Sequence, residues 1–307
     1  MRRRRAEPAL GGVASTVQRL AVLLSAGVPP AAAWQYLDRD GSPVVGRVAA
    51  SRDGTHLAHS IAVAAADEAP AERPAWNGLA AAWAVATDAG APLAPTLRQF
   101  AESLRSLADA QRDISVALSG PIATARLVML LPAVGVLFGL VLGFDTLGVL
   151  FTSAPGLVCL AAGIALMLAA LVWNRRLIAA AQPSDLTPGL RLELTAIAVS
   201  GGSALDRAEA NVARAMTESG LADPPDSARA VAEVLDLSRR AGVPAAELLR
   251  SEALEARRSA RATAATRASV LAVRLMLPLG LCILPAFMLL GVAPLLIAVI
   301  TSTVSGM

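Results

Sequence analysis

The chain has 307 residues, 55% hydrophobic and only 17% charged, with a mean hydropathy of +0.57; soluble domains average about 25% charged, so it is too apolar for water along its whole length. All 27 basic residues are arginine, which excludes a P-loop and lysine Schiff-base chemistry, and two histidines with two cysteines are too few for a dedicated metal or disulfide framework. The net charge of +3 hides a pattern: residues 1–125 carry 12 Arg against 11 acids and 174–269 carry 13 against 12, whereas 127–173 and 275–307 hold no arginine and one acid, Asp145.

Residues 1–125 read as a cytoplasmic helical block. Arg2–Arg5 with the apolar run Leu20–Ala26 imitates a secretory signal, but the run starts late and is short, so the arginines are read as holding the N-terminus near anionic headgroups. Ala26, Gly27 and Pro29 form a turn with Gly at a helix C-terminus and Pro in the first turn of the next helix. Asp38–Pro74 reads as a looser connection around a short helix. His56 and His59 have helical i, i+3 spacing but no further His or Cys nearby, so they read as exposed residues and not as a metal pair. Ala89, Gly90 and Pro92 repeat the turn, and Leu97, Phe100, Leu104, Leu107, Ile114 and Leu118 then mark one face of an amphipathic helix.

Residues 126–145 are expected to cross the membrane, since about 20 apolar residues span the hydrocarbon layer. Gly135, Gly139 and Gly143 give overlapping GxxxG spacings, a packing seam for another span. Asp145 at the end of this span is read as interfacial, not as a proton relay. A short external loop, 146–153, precedes a second span at 154–173, which ends in Trp173-Asn174-Arg175-Arg176.

Residues 174–269 form a second cytoplasmic helical block. Leu194–Gly202 resembles Leu20–Gly27, and Ser203 with Asp206 suggests a capping box opening the following helix. Ala241, Gly242 and Pro244 match the turn at 89–92, with Leu249, Ala253, Ala256 and Ala260 as the next helix face. A third span follows at 270–291, with Pro278 and Pro285, like Pro132 in the first, read as kinks. Residues 292–307 are an external or interfacial tail, too short to assign a fourth crossing.

Arg126, Arg175, Arg176 and Arg274 flank the spans on the side of the charged blocks, which places those blocks in the cytoplasm and the C-terminus outside. Each block is followed by one outward span, so the two halves form a parallel repeat, unlike the inverted repeats of many transporters. The expected fold class is all-α: a polytopic membrane protein with two tandem cytoplasmic helical bundles and about three transmembrane helices. No nucleophile, nucleotide or metal motif is present, and neutral blocks with one tyrosine argue against nucleic acid.

This layout resembles the type II secretion F-domain family, the inner-membrane platforms of type II secretion and type IV pilus machines, and most of all its TadB/TadC branch, which serves Tad/Flp pili. The resemblance rests on the doubled block with its turns at 89–92 and 241–244, and on Leu147–Gly163 with Trp173–Arg176; it spans about residues 13–300. It implies a non-enzymatic multi-pass protein of the plasma (inner) membrane, without cofactor, that couples a hexameric cytoplasmic ATPase to pilin subunits. It also implies a paralogous platform partner and a homo- or hetero-oligomer in the bilayer. The rival reading, a small-molecule transporter or channel component, calls for ionisable residues inside the spans, and an intramembrane enzyme calls for a catalytic pair at depth; the spans offer only Asp145.

Overall fold

The computed structural model describes residues 9–38, 42–51, 56–130, 153–181, 188–294, 296 and 297, with positions 134, 135, 137, 138, 141, 148, 150 and 151 between the longer stretches. Among these residues the chain forms helices and turns and no strand. In chain order they are α1 (Ala9–Ser25), α2 (Pro30–Leu37), α3 (Pro43–Ala50), α4 (Leu57–Ala65), α5 (Arg73–Ala89), α6 (Leu93–Met129), α7 (Ala154–Ala181), α8 (Leu190–Ser200), α9 (Leu205–Glu218), α10 (Pro225–Ala241) and α11 (Ala245–Arg274), followed by a broken helical run, Met276–Val292. The chain divides into two compact units, one of residues 1–112 and 184–262 and the other of residues 113–183 and 263–307.

The first unit contains most of both charge-mixed blocks. One hydrophobic core takes Leu10 through Ala108 of the first block together with Leu190, Leu194, Ile197, Val212 and Met216 of the second. Its axis is α5, which packs against α4, α8, α9 and α1. Between Ala75 and Ala89 this helix buries alanines, tryptophans, Leu79 and Val85 on nearly every side. A helix apolar all round has no solvent face and becomes the centre of the bundle. In α1, Leu10, Val13, Ala14, Val17, Leu20 and Ala21 are at most 2% exposed, and Leu23 and Leu24 pack against the same core, so the first part of the run that imitates a signal core is packed into this unit.

The described residues of Asp38–Pro74 hold more helix than its composition suggests. It holds two helices, α3 and α4, which bury Val44, Val45, Val48, Leu57, Ile61, Ala64 and Ala65. The Arg47 guanidinium ties them, donating to the Ala64 carbonyl at 2.6 Å and to Glu68 at 2.7 Å. Short β-branched and alanine runs between Gly and Pro read as loop until a neighbouring core supplies the burial that stabilises them.

The interhelical turns share a geometry. Gly27 and Gly202 both adopt left-handed backbone, φ 85° and 88°, and each donates from its N–H to a carbonyl three residues back, Leu24 and Val199. Val28 and Ser203 donate five residues back, to Leu23 and Ala198, completing a Schellman closure in both. The residues that cap the next helices, Pro29 and Ala204, have φ/ψ of −58°/144° and −59°/146°. Gly90 and Gly242 are left-handed in the same way, at φ/ψ 68°/20° and 67°/25°. Two sequence expectations are corrected here. The prolines sit one place earlier than the first helical turn: Pro29, Pro92 and Pro244 lie outside α2, α6 and α11, and their carbonyls accept the first helical N–H. The helix α9 is capped by Ala204 without a side-chain bond, so Ser203 and Asp206 do not build a capping box; Ser203 is spent on the Schellman closure.

In the second unit α7 packs along Met276–Val292. Among the described residues two helices are long and apolar enough to cross a membrane, Ala154–Leu177 and Ala245–Val292, with mean hydropathies of 2.4 and 2.3 over their best windows. The expected crossing at 126–145 is only partly within the described residues; Gly139, Gly143, Asp145 and Pro132 lie outside them. The run after Arg274 is not a plain helix. It widens into π-helical turns at Leu279–Ile283 and Met288–Val292, shortly after Pro278 and Pro285, where the missing N–H and the ring clash disrupt the ordinary i→i−4 ladder.

Candidate functional site

No cluster of three or more His, Cys, Asp or Glu able to hold a metal ion occurs among the described residues. His56 precedes α4 and His59 lies within it, and both are exposed. Cys159 and Cys282 are free thiols. The geometry instead concentrates polar groups where the two blocks of the first unit meet.

Helix α8 is the meeting element. It buries eight of its residues, Leu190, Leu192, Glu193, Leu194, Thr195, Ala196, Ile197 and Ala198. Its C-terminal Gly201 lies against the end of α5: a Cβ added there would come within 2.8 Å of the Ala89 carbonyl carbon. At the other end of the same contact face, Gly78 of α5 leaves room for Phe100 of α6, 3.0 Å from where its Cβ would lie. Across the surface Arg214 of α9 donates to Asp88 of α5 at 2.8 Å.

Glu193 is 3% exposed and is the only charged residue in the buried class among the described residues. Its Oε2 accepts from Arg257 Nη1 on α11 at 2.7 Å, and that side chain is itself only 10% exposed. The Ser103 hydroxyl on α6 lies 3.1 and 3.2 Å from the two carboxylate oxygens and 3.1 Å from the Gln99 carbonyl; its one proton serves one of these acceptors at a time. Seven residues along α8, Ser200 accepts from Arg250 of α11 at 2.7 Å. Burial pushes the Glu193 carboxyl up from its ordinary value, against the opposing pull of Arg257, the Ser103 bond and Arg250. Sequence reasoning passed over this group; the available signal was a lone acid among Leu190, Leu192, Leu194, Ala196 and Ile197.

Beside it, a cavity of about 220 Å³ is bounded by Gly189, Leu192, Met216, Ala230 and Ala256, with Arg191, Asp226 and Ser227 among its polar walls. Arg191 pairs with Asp223, which also accepts from the Ser227 hydroxyl.

In the second unit Gly135 approaches the final helical run. A Cβ on it would meet Gly291 Cα and Phe287 Cε2, each at 3.1 Å, and a Cβ on Gly163 of α7 would meet Leu290 Cδ2 at 2.7 Å. The absence of side chains lets these backbones close up, as small residues do in membrane helices. Arg175, Arg176 and Arg274 are exposed.

Residues 16–141 match the family described as type II secretion system (T2SS), protein F. A domain of that family is therefore found over this stretch, which is less than half of the chain. No curated protein and no solved structure matches the chain.

Proposed function

We propose that this protein is a non-enzymatic platform subunit in the inner membrane, closest in kind to the TadB/TadC proteins of Tad/Flp pilus assembly. It couples a hexameric cytoplasmic ATPase to pilin subunits that are drawn from the bilayer into a filament. The observation that carries this reading is the F-domain match over residues 16–141, joined to two helices of membrane-crossing length and hydropathy.

The reading includes a duplication. The turns at 27 and 202, and those at 90 and 242, agree in backbone angles, and α5 and α10 are both 17 residues long and lie 152 positions apart. At the first turn the offset is 175, from Gly27 to Gly202 and from Pro30 to Leu205, one more than the sequence match of Leu20 to Leu194 implies. The proposed topology has residues 1–125 and 174–269 in the cytoplasm, crossings at 126–145, 154–173 and 270–291, and a C-terminus outside, with Arg126, Arg175, Arg176 and Arg274 as its determinants. A platform without its own energy source needs rigid bundles and membrane seams and has no use for a nucleophile.

Affinity purification from membranes in mild detergent tests the reading. Co-purification of a secretion ATPase and a second platform protein is the expected result. Hydrolysis of ATP by the purified chain alone, or unchanged surface pili after its deletion, would overturn it.

A further inference from the structure

The arginines of the two units are neutralised differently. In the first unit Arg47, Arg191, Arg214, Arg229, Arg240 and Arg257 each pair with an acid. In the second unit Arg175, Arg176, Arg267 and Arg274 are exposed, and among the described residues no acid pairs with any of the four. The sequence of that unit holds five arginines against two acids, Asp113 and Asp145, so most of its positive charge has no counter-charge of its own.

The four arginines lie at one end of the unit. Gly163 of α7 meets Leu290, and Ala170 clusters with Cys282 and Ile283, which is an antiparallel register. Carried on by seven residues, it sets Leu177 level with Met276, so Arg175 and Arg176 stand within one turn of Arg274. Arg267 shares the helix face of Arg274, about 10 Å further along α11. At this level the surface of both helices changes character. Just past Arg274 the chain exposes Met276, Leu277, Leu281 and Leu284, and just before Arg175 it exposes Leu168, Val172 and Trp173. An acidic protein docked on the arginines would leave this apolar belt in water. A bilayer covers the belt with acyl chains and brings its phosphates to the arginines. The headgroup layer is about 5–8 Å thick on each side, which Arg175, Arg176 and Arg274 reach directly and Arg267 reaches by extending its long stem. Guanidinium groups match phosphate oxygens in pairs, and an anionic headgroup, unlike a zwitterionic one, brings no cation of its own to compete.

We propose that this end of the second unit binds a collar of anionic phospholipid, in which Arg175, Arg176, Arg267 and Arg274 each take a headgroup phosphate. The collar rests on the reading of this unit as membrane-spanning and adds to it a selection among lipids by headgroup charge.

Tryptophan fluorescence reads the collar in the full-length chain. Trp34, Trp76 and Trp83 are at most 4% exposed in the first unit, whereas Trp173 is 39% exposed beside Arg175, so a brominated lipid quenches Trp173 selectively. The chain is reconstituted into phosphatidylcholine vesicles carrying a minor fraction of either brominated phosphatidylglycerol or brominated phosphatidylcholine. Brominated phosphatidylglycerol is expected to quench more strongly at equal fraction, and high salt to weaken that preference. Arg175→Gln, Arg176→Gln, Arg267→Gln and Arg274→Gln should each lower the preference about two- to fivefold, and the four together should abolish it. Arg229→Gln in the first unit should leave it as in the parent, and quenching by brominated phosphatidylcholine should persist in every variant. If the fourfold variant does not insert, the single variants decide. Equal quenching by the two lipids in the parent, or a preference that survives the substitutions, would refute the collar. Absence of quenching by both lipids would overturn the membrane reading of this unit itself, so the two failures are told apart.

Discussion

Gly201 ends α8 directly against the last carbonyl of α5, so close that a Cβ on it would come within 2.8 Å of the Ala89 carbonyl carbon. The backbone of Gly201 is ordinary, with φ −77°; glycine is needed there for space. Gly202, its neighbour, is the reverse case, with φ +88° and nothing within 4 Å of a Cβ. Gly201→Ala is expected to cost about 1–3 kcal/mol by overpacking, and Gly202→Ala about 1–2 kcal/mol by left-handed backbone strain alone. Gly27→Ala, at φ +85° in open space, should match Gly202→Ala. Denaturant titration of the four proteins checks this; unequal costs at 27 and 202 would mean that the two turns are not equivalent.

Two arginine pairs of the first unit should behave differently. Arg214 and Asp88 are 56% and 46% exposed, so Arg214→Ala is expected to cost about 0–1 kcal/mol. Arg257 and Glu193 are 10% and 3% exposed, and Arg257→Ala leaves a buried anion without its partner, at a cost of about 3–5 kcal/mol. Thermal melts of both variants compare them directly, and similar losses would show that burial at Glu193 is not felt.

The pH dependence of stability follows from Glu193. Burial raises its carboxyl above the ordinary 4.5, so the fold binds this proton more tightly than the unfolded chain does. Its stabilising share is complete below about 4.5 and is lost as pH rises through the raised folded value. Measured against Glu193→Gln, the parent should lose ground as pH increases across that window. A difference growing in the parent's favour would reverse the sign and indicate that Arg257 outweighs desolvation.

In the second unit Gly163 and Leu290 are coupled by contact. Gly163→Ala drives a methyl into Leu290 and is expected to destabilise by about 1–3 kcal/mol. Leu290→Ala costs about 2–5 kcal/mol by cavity formation. Together they should cost less than their sum by about 0.5–3 kcal/mol, since each relieves the other. Melting in detergent gives the cycle, and strict additivity would argue that the residues do not touch.

Much of this molecule is legible in one dimension. The helical class, the long apolar stretches at 154–173 and 270–291 and the left-handed glycines at 27, 90 and 242 follow from composition, periodicity and local turn chemistry, because each depends on residues a few positions apart. Local signals also misled. Ser203 and Asp206 look like a capping box, yet Ala204 caps the helix, since the Schellman closure at Gly202 claims the Ser203 N–H.

Only the tertiary structure decided that the two blocks share one core around α5, that α3 and α4 are ordered by burial, and that Glu193 meets Ser103 and Arg257 from positions 90 and 64 residues away. The physical reason is that a side chain's neighbours set its energy. An acid in α8 reads as a solvated charge until α6 and α11 remove its water, and no spacing along the chain announces which distant helix will do so.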